Sequence, residues 1–92
     1  MYDLYEMFPR FDSAKSFYGK AHILVDGNKR VLRSYQTSVA CFDCATDTLE
    51  IYGIWSQTTS RHQREFMRQM GFSVPKPLRA GVYDRDGNKV FV

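Results

Sequence analysis

Cysteine, histidine and long apolar runs are things this sequence has little of. Two cysteines, Cys41 and Cys44, in 92 residues are too few to staple a secreted scaffold, so no structural disulfide is expected and both read as thiols of a reducing compartment. The two histidines, His22 and His62, leave a zinc site short of ligands, because "CFDC" has no second close pair to complete it. No stretch approaches the roughly 18 apolar residues of a membrane span, and no basic start leads into an apolar segment. A signal peptide and a membrane partner are therefore not expected, and the cytoplasm is the expected location. Missing too are a glycine-rich phosphate loop, paired carboxylates and an RNP-like aromatic pattern. No motif of defined chemistry is present, so no catalytic residue, metal or cofactor is assigned, and the chain is not expected to be an enzyme.

What is present is the composition of a folded protein, 43% hydrophobic and 15% aromatic. At this length one core is the limit, and residues 1–92 read as a single α+β domain. The net charge of +3 is mild but unevenly placed. Residues 41–50 carry Asp43, Asp47 and Glu50 with no base, whereas residues 61–79 carry Arg61, Arg64, Arg68, Lys76 and Arg79 against Glu65 alone. A basic side and a smaller acidic one follow.

The rings of Tyr2, Tyr5, Phe8 and Phe11 recur every three residues, which predicts a short helical turn or apolar arm, ended by Pro9, that lies across the core, with an exposed aromatic interaction arm as the alternative. From Ser16 the pattern turns to β. An Asp-Gly turn between "SFYGKAHILV" and "KRVLRSYQ" predicts a hairpin over residues 17–35, and "TSVACFDCA" with "TLEIYGIW" predicts a second, together a four-stranded antiparallel meander. After Trp55 the period becomes helical, over residues 58–70. Thr59, His62, Gln63, Phe66, Met67 and Met70 fall on a core side, with Arg61, Arg64, Arg68 and Glu65 opposite. Gly71 suits the closing left-handed position and "VPKPL" cannot continue a helix. "AGVYDRDGNKVFV" repeats the turn grammar and predicts a C-terminal hairpin, either extending the sheet or forming a ribbon beside it.

Three places invite a functional reading. Positions 41 and 44 of a predicted strand point to opposite faces, so "CFDC" reads as structural thiols unless a bulge intervenes. The run Ser56, Thr58, Thr59 and Ser60 is capping chemistry first. With Arg61 and Arg64 beside the free amides of a helix start it is also a competent contact for phosphate or carboxylate, and both readings stand. His62, one turn in, reads as a boundary histidine, since nothing selects a nucleophile to partner it. The ridge of Arg61, Arg64 and Arg68 is a solvated face, a nucleic-acid backbone contact or a site for an acidic protein surface. Tyr18, Tyr35 and Tyr52 offer stacking surfaces.

Two stretches, "FDSAKSFYGKA" and "YGIWSQTTSRHQREFMRQMGF", resemble a family of short uncharacterised proteins encoded by phages, plasmids and conjugative elements of Gram-positive bacteria. Its pattern reads approximately FYGKA, then YGWYSxTTxRHxxEFxxQxGF. The matching positions here are Phe17, Tyr18, Gly19 and Lys20, then Ser56, Thr58, Thr59, Arg61, His62, Glu65, Phe66, Gln69, Gly71 and Phe72. Ile54 and Trp55 stand for two aromatics, and Gln63 replaces an apolar residue, which argues against a helix that faces the core across its full width. The resemblance implies no activity but gives a context, that of a mobile-element accessory protein acting by non-catalytic macromolecular binding. The expected partner is a host protein or ribonucleoprotein complex, blocked in the manner of an anti-CRISPR inhibitor. The alternative is a DNA- or RNA-binding accessory protein using the basic ridge. In either case Tyr18, Lys20, Ser56, Thr58, Thr59, Arg61, His62, Arg64 and Arg68 are the expected binding residues.

Overall fold

A computed structural model of the chain describes residues 2–90. Among them six strands form one antiparallel sheet, β1 (Tyr2–Glu6), β2 (Ala21–Asp26), β3 (Lys29–Ser34), β4 (Thr37–Asp43), β5 (Thr48–Ile51) and β6 (Gly81–Tyr83), and a helix, α1 (Gln57–Gln69), connects the last two strands. Each strand lies beside its predecessor, in the order β1-β2-β3-β4-β5-β6. The architecture is α+β as expected, but the strand count rises from four to six.

One added strand replaces the expected N-terminal helical turn. Residues 2–6 instead pair with β2, Leu4 opposite Leu24 and Tyr5 opposite Ile23. A segment that Pro9 cuts short cannot repay helix nucleation, whereas an open neighbouring strand satisfies its backbone at once. The other added strand, β6, pairs with β5 from Ile51–Gly81 to Leu49–Tyr83. After it the chain turns back, with a bridge between Tyr83 and Lys89 and Val90 N–H donating to Val82 C=O at 2.7 Å. The C-terminal hairpin thus extends the sheet; its expected last residues, Phe91 and Val92, lie outside the described ones.

The turn of the first hairpin follows from its residues. Asp26 pairs with Lys29, leaving a two-residue loop in which Gly27 takes φ +56°, a conformation that glycine adopts without a Cβ clash. The register shifts between Leu32 and Arg33, which face Ala40 and Ser38, so Val39 is an extra residue in β4. Of the two cysteines only Cys41 is on a strand, and it is buried; Cys44 is exposed in the turn after β4, not on the opposite sheet face, and both are free thiols.

The inner sheet face carries Ile23, Leu32, Ala40, Leu49 and Ile51, all buried against Phe66 and Met67 of α1, with Met7, Phe17 and Phe72 closing the margins. Phe66 is fully buried, and truncating such a ring to alanine costs roughly 3–5 kcal/mol. Ser56 caps the helix, its Oγ accepting from Thr59 N–H at 3.1 Å, and Gly71 ends it at φ +86°. Gln63 is fully buried on the core side where the spacing put it, while Thr58, Arg61 and Arg68 remain exposed, so the helix faces the core on one side only. Gln63 Nε2 donates to the carbonyls of Val39 at 3.1 Å and Gly53 at 2.9 Å, so an amide sits in the core because the bulge and the chain leaving β5 leave carbonyls there to meet it.

Candidate functional site

The polar residues of α1 divide into two lines. Arg61, Glu65 and Gln69, four residues apart and hence on one stripe of the helix, hold the loop that follows β1. The Glu65 carboxylate is fully buried and accepts from the backbone N–H groups of Arg10 (2.9 Å), Phe11 (3.1 Å) and Asp12 (2.8 Å). Gln69 Nε2 donates to Phe8 C=O at 2.7 Å and to Glu65 at 2.6 Å. Arg61 Nε donates to Asp12 Oδ2 at 3.0 Å, and a second guanidinium nitrogen pairs with the other oxygen. Arg61, and then the N–H of Ala14, hold the Asp12 carboxyl down at about 2. The expected arginine ridge is therefore not uniform. Arg61 is engaged, Arg64 is half-buried and Arg68 is exposed, and among the described residues the latter two form no ion pair.

The second line is Thr59 and His62, facing β3. His62 is 1% exposed; its Nδ1 is 2.8 Å from Ser34 Oγ, and that hydroxyl is 3.1 Å from Thr59 Oγ1. The Phe17 ring stands edge-on to the imidazole at 4.6 Å. Burial, and then the nearby charge of Arg61, push the His62 pKa below its usual value, so the ring is neutral at neutral pH. Its Nε2 makes no hydrogen bond among the described residues, yet it is not sealed in, because the fully buried side-chain polar atom without a partner there is Gln63 Oε1. That nitrogen opens onto a pocket.

The pocket, about 210 Å³, is lined by Ser16, Phe17, Tyr18, Lys20, Tyr35, Thr58, Arg61 and His62. Three segments build it: the approach to β2, the β3–β4 turn and the first turn of α1. Tyr35 N–H donates to Lys20 C=O at 2.7 Å, joining the first two. Tyr18 at φ +56° and Tyr35 at φ +60° are both left-handed, a conformation that costs an L-residue about 1–2 kcal/mol and that bulky residues rarely take. Tyr18 is also 81% exposed, so burial does not offset that strain. Lys20 Nζ lies 5.6 Å from the centre of the Tyr35 ring. Beyond Tyr35, which both share, a second hollow of about 310 Å³ is lined by Leu4, Gly19, His22, Arg33 and Gln36.

Of the residues expected to bind, the fold brings Tyr18, Lys20, Thr58, Arg61 and His62 to one place. Ser56 is occupied as the cap, Thr59 is buried beneath the pocket, and Arg64 and Arg68 do not line it. Tyr52 lies away from it, at a smaller hollow of about 130 Å³ on the outer sheet face with Lys29, Cys41 and Glu50. Ser34 was not anticipated; a hydroxyl at the end of a strand carries no signal until its partner on α1 is known. Among the described residues no three metal-ligating side chains converge, and no helix is long and apolar enough to cross a membrane.

Over residues 5–79 the chain matches the profile of a family of unknown function (DUF8033), and it belongs to that family. The matched stretch contains every pocket residue and the whole Glu65 clasp, and stops short of β6. Comparison with curated proteins and with solved structures finds no match for the chain.

Proposed function

We propose that this family member binds a macromolecule without chemically converting it, and that its target is a host-defence protein or ribonucleoprotein whose action it blocks. The observation that carries this reading is the pair of left-handed tyrosines, Tyr18 and Tyr35, presented on fixed backbone beside Lys20. Aromatic and cationic side chains held rigid at a surface are what tight recognition uses. Phe8 and Phe11, both exposed on the clasped loop, add apolar area to the surface. The resemblance to proteins of phages, plasmids and conjugative elements supplies the defence context, in which small accessory proteins act by occupation. A mildly basic chain does not imitate nucleic acid, so the blocking reading is contact with a protein surface. Catalysis is disfavoured by access. Ser34 is the hydroxyl hydrogen-bonded to His62, but it is 2% exposed and lies beneath the imidazole, where no substrate reaches it.

Capture of partners from a Gram-positive host by the tagged protein, with Cas nuclease cleavage measured in its presence and absence, tests the proposal. A stable complex and slowed cleavage, both lost in a Tyr18→Ala, Tyr35→Ala double variant, are expected. No complex and no inhibition would remove it. A second reading, nucleic-acid binding, is favoured by one feature: Lys20 and Arg61 rim a pocket walled by tyrosine rings, which moves the basic contact from the helix ridge to its start.

A further inference from the structure

We propose that the pocket at the start of α1 is a nucleotide site, in which an unpaired base lies against Tyr18 and Tyr35, its polar edge meets His62, and its phosphate meets Lys20 and Arg61. This rests on and deepens the nucleic-acid reading, and it assigns to a base the same two tyrosines that the inhibitor reading assigns to a protein surface.

The chemistry of the walls selects the ligand. An aromatic side chain of a partner protein would use the two rings but leave the open nitrogen of His62 unmatched at the floor. A carboxylate or inorganic phosphate would use Lys20 and Arg61 but leave the rings idle. A nucleotide uses all three, since a base has a π face for stacking and hydrogen-bonding atoms along its edge, and carries an anion. The size agrees: about 210 Å³ is the liquid volume of roughly seven waters, room for a planar heterocycle and too little for a duplex end.

His62 gives the floor its polarity. The ring is 1% exposed and lines the pocket, its Nδ1 is held by Ser34, and the Ser34–Thr59 hydroxyl pair behind Nδ1 can reverse its donor direction. The open nitrogen can therefore donate to a base carbonyl or accept from a base amine. The tyrosines add a second, independent argument. Glycine would hold both left-handed positions without strain, as Gly19 does beside Tyr18 at φ +72°. Tyrosine there makes sense for its ring and not for the turn. Arg33 and His22, in the hollow beyond Tyr35, lie where the next residue of a strand would run, so a free mononucleotide and a single strand are the two sources of this one chemistry.

Titrating the full chain at low salt with adenosine monophosphate, with an eight-residue adenylate strand and with a duplex of equal length tests the site, read by tyrosine fluorescence and by the His62 imidazole signals in NMR. Saturable binding is expected for the mononucleotide or the strand, weakening as salt is raised. A strand at least tenfold tighter identifies a strand site, and equal affinities identify a free-nucleotide site. Tyr18→Gly and Tyr35→Gly should each weaken binding about tenfold or more without lowering the melting temperature, a combination that a merely structural role for the rings does not produce. Absence of saturable binding by any single-stranded probe, binding of the duplex alone, or affinity that survives the double glycine variant would overturn the proposal. Host-protein capture that persists after nuclease treatment would, with any of these, leave the inhibitor reading standing alone.

Discussion

Glu65 and His62 are three residues apart on one helix and equally hidden from solvent, yet they are used in opposite ways. The Glu65 carboxylate oxygens accept from three N–H groups of the loop it clasps and from Gln69 on its own helix. His62 is held on one side only and keeps a nitrogen open to the pocket. A single helical stretch therefore carries both a fastening and an opening. Burial alone does not tell these two side chains apart; which of their polar atoms are satisfied does.

The largest way to break this contrast is to remove the fastening. Glu65→Ala strands three backbone N–H groups at once, and a loss of about 3 kcal/mol is expected, read as a lower midpoint in urea denaturation, with faster amide exchange at residues 10–12. If that midpoint is unchanged, the clasp is not what holds the loop.

A smaller effect is expected at the opening. Ser34→Ala deletes the hydroxyl between His62 and Thr59 and should cost about 1–2 kcal/mol. The same imidazole gives the contrast a pH signature. Because burial depresses the folded-state pKa of His62, its contribution is intact above the unfolded value of 6.5 and is lost as pH falls, until the folded ring itself protonates. Stability measured from pH 8 to pH 5 should decline through this window, and His62→Gln should flatten the decline. A profile flat in the unaltered protein would mean that the ring is freely solvated.

The smallest effect is expected at the exposed end of the clasp. Arg61→Ala should change stability least of the three, since its guanidinium is solvated, while Asp12 returns from about 2 towards an ordinary carboxyl pKa. That return, followed by NMR, is the sharper readout. In the unaltered protein the Asp12 contribution is present above 3.8 and lost as pH falls towards 2. A destabilisation as large as that of Glu65→Ala would erase the gradient along the helix.

These distinctions were unevenly legible in the sequence. Local chemistry was readable: the Asp26–Gly27 turn, a cap among the hydroxyls Ser56, Thr58, Thr59 and Ser60, the stop at Gly71 and the core side through Phe66 and Met67 each depend on residues within one turn of themselves. Strand β1 was not, because the three-residue ring spacing of Tyr2, Tyr5 and Phe8 fits a helical face and not one face of a strand, and an available edge on β2 overrode that local pattern. Glu65 looked like a lone acid among arginines. Its burial requires a loop more than fifty residues away in sequence to fold over the helix. Lys20 and Tyr35 could be named singly, but that they meet His62 follows from the β3–β4 turn lying over the helix start, which no local pattern encodes.

The meander order has a kinetic consequence. Neighbours in the sheet are consecutive along the chain, and the first four pairings, from β1–β2 to β4–β5, close over short to moderate connections. Low sequence separation between partners favours fast formation, so the β2–β3 hairpin can serve as a template to which β4 and β5 add in turn. The β5–β6 pairing must wait for α1 to cross the sheet, and the pocket, which needs both the β3–β4 turn and the helix start, is completed only when the helix docks.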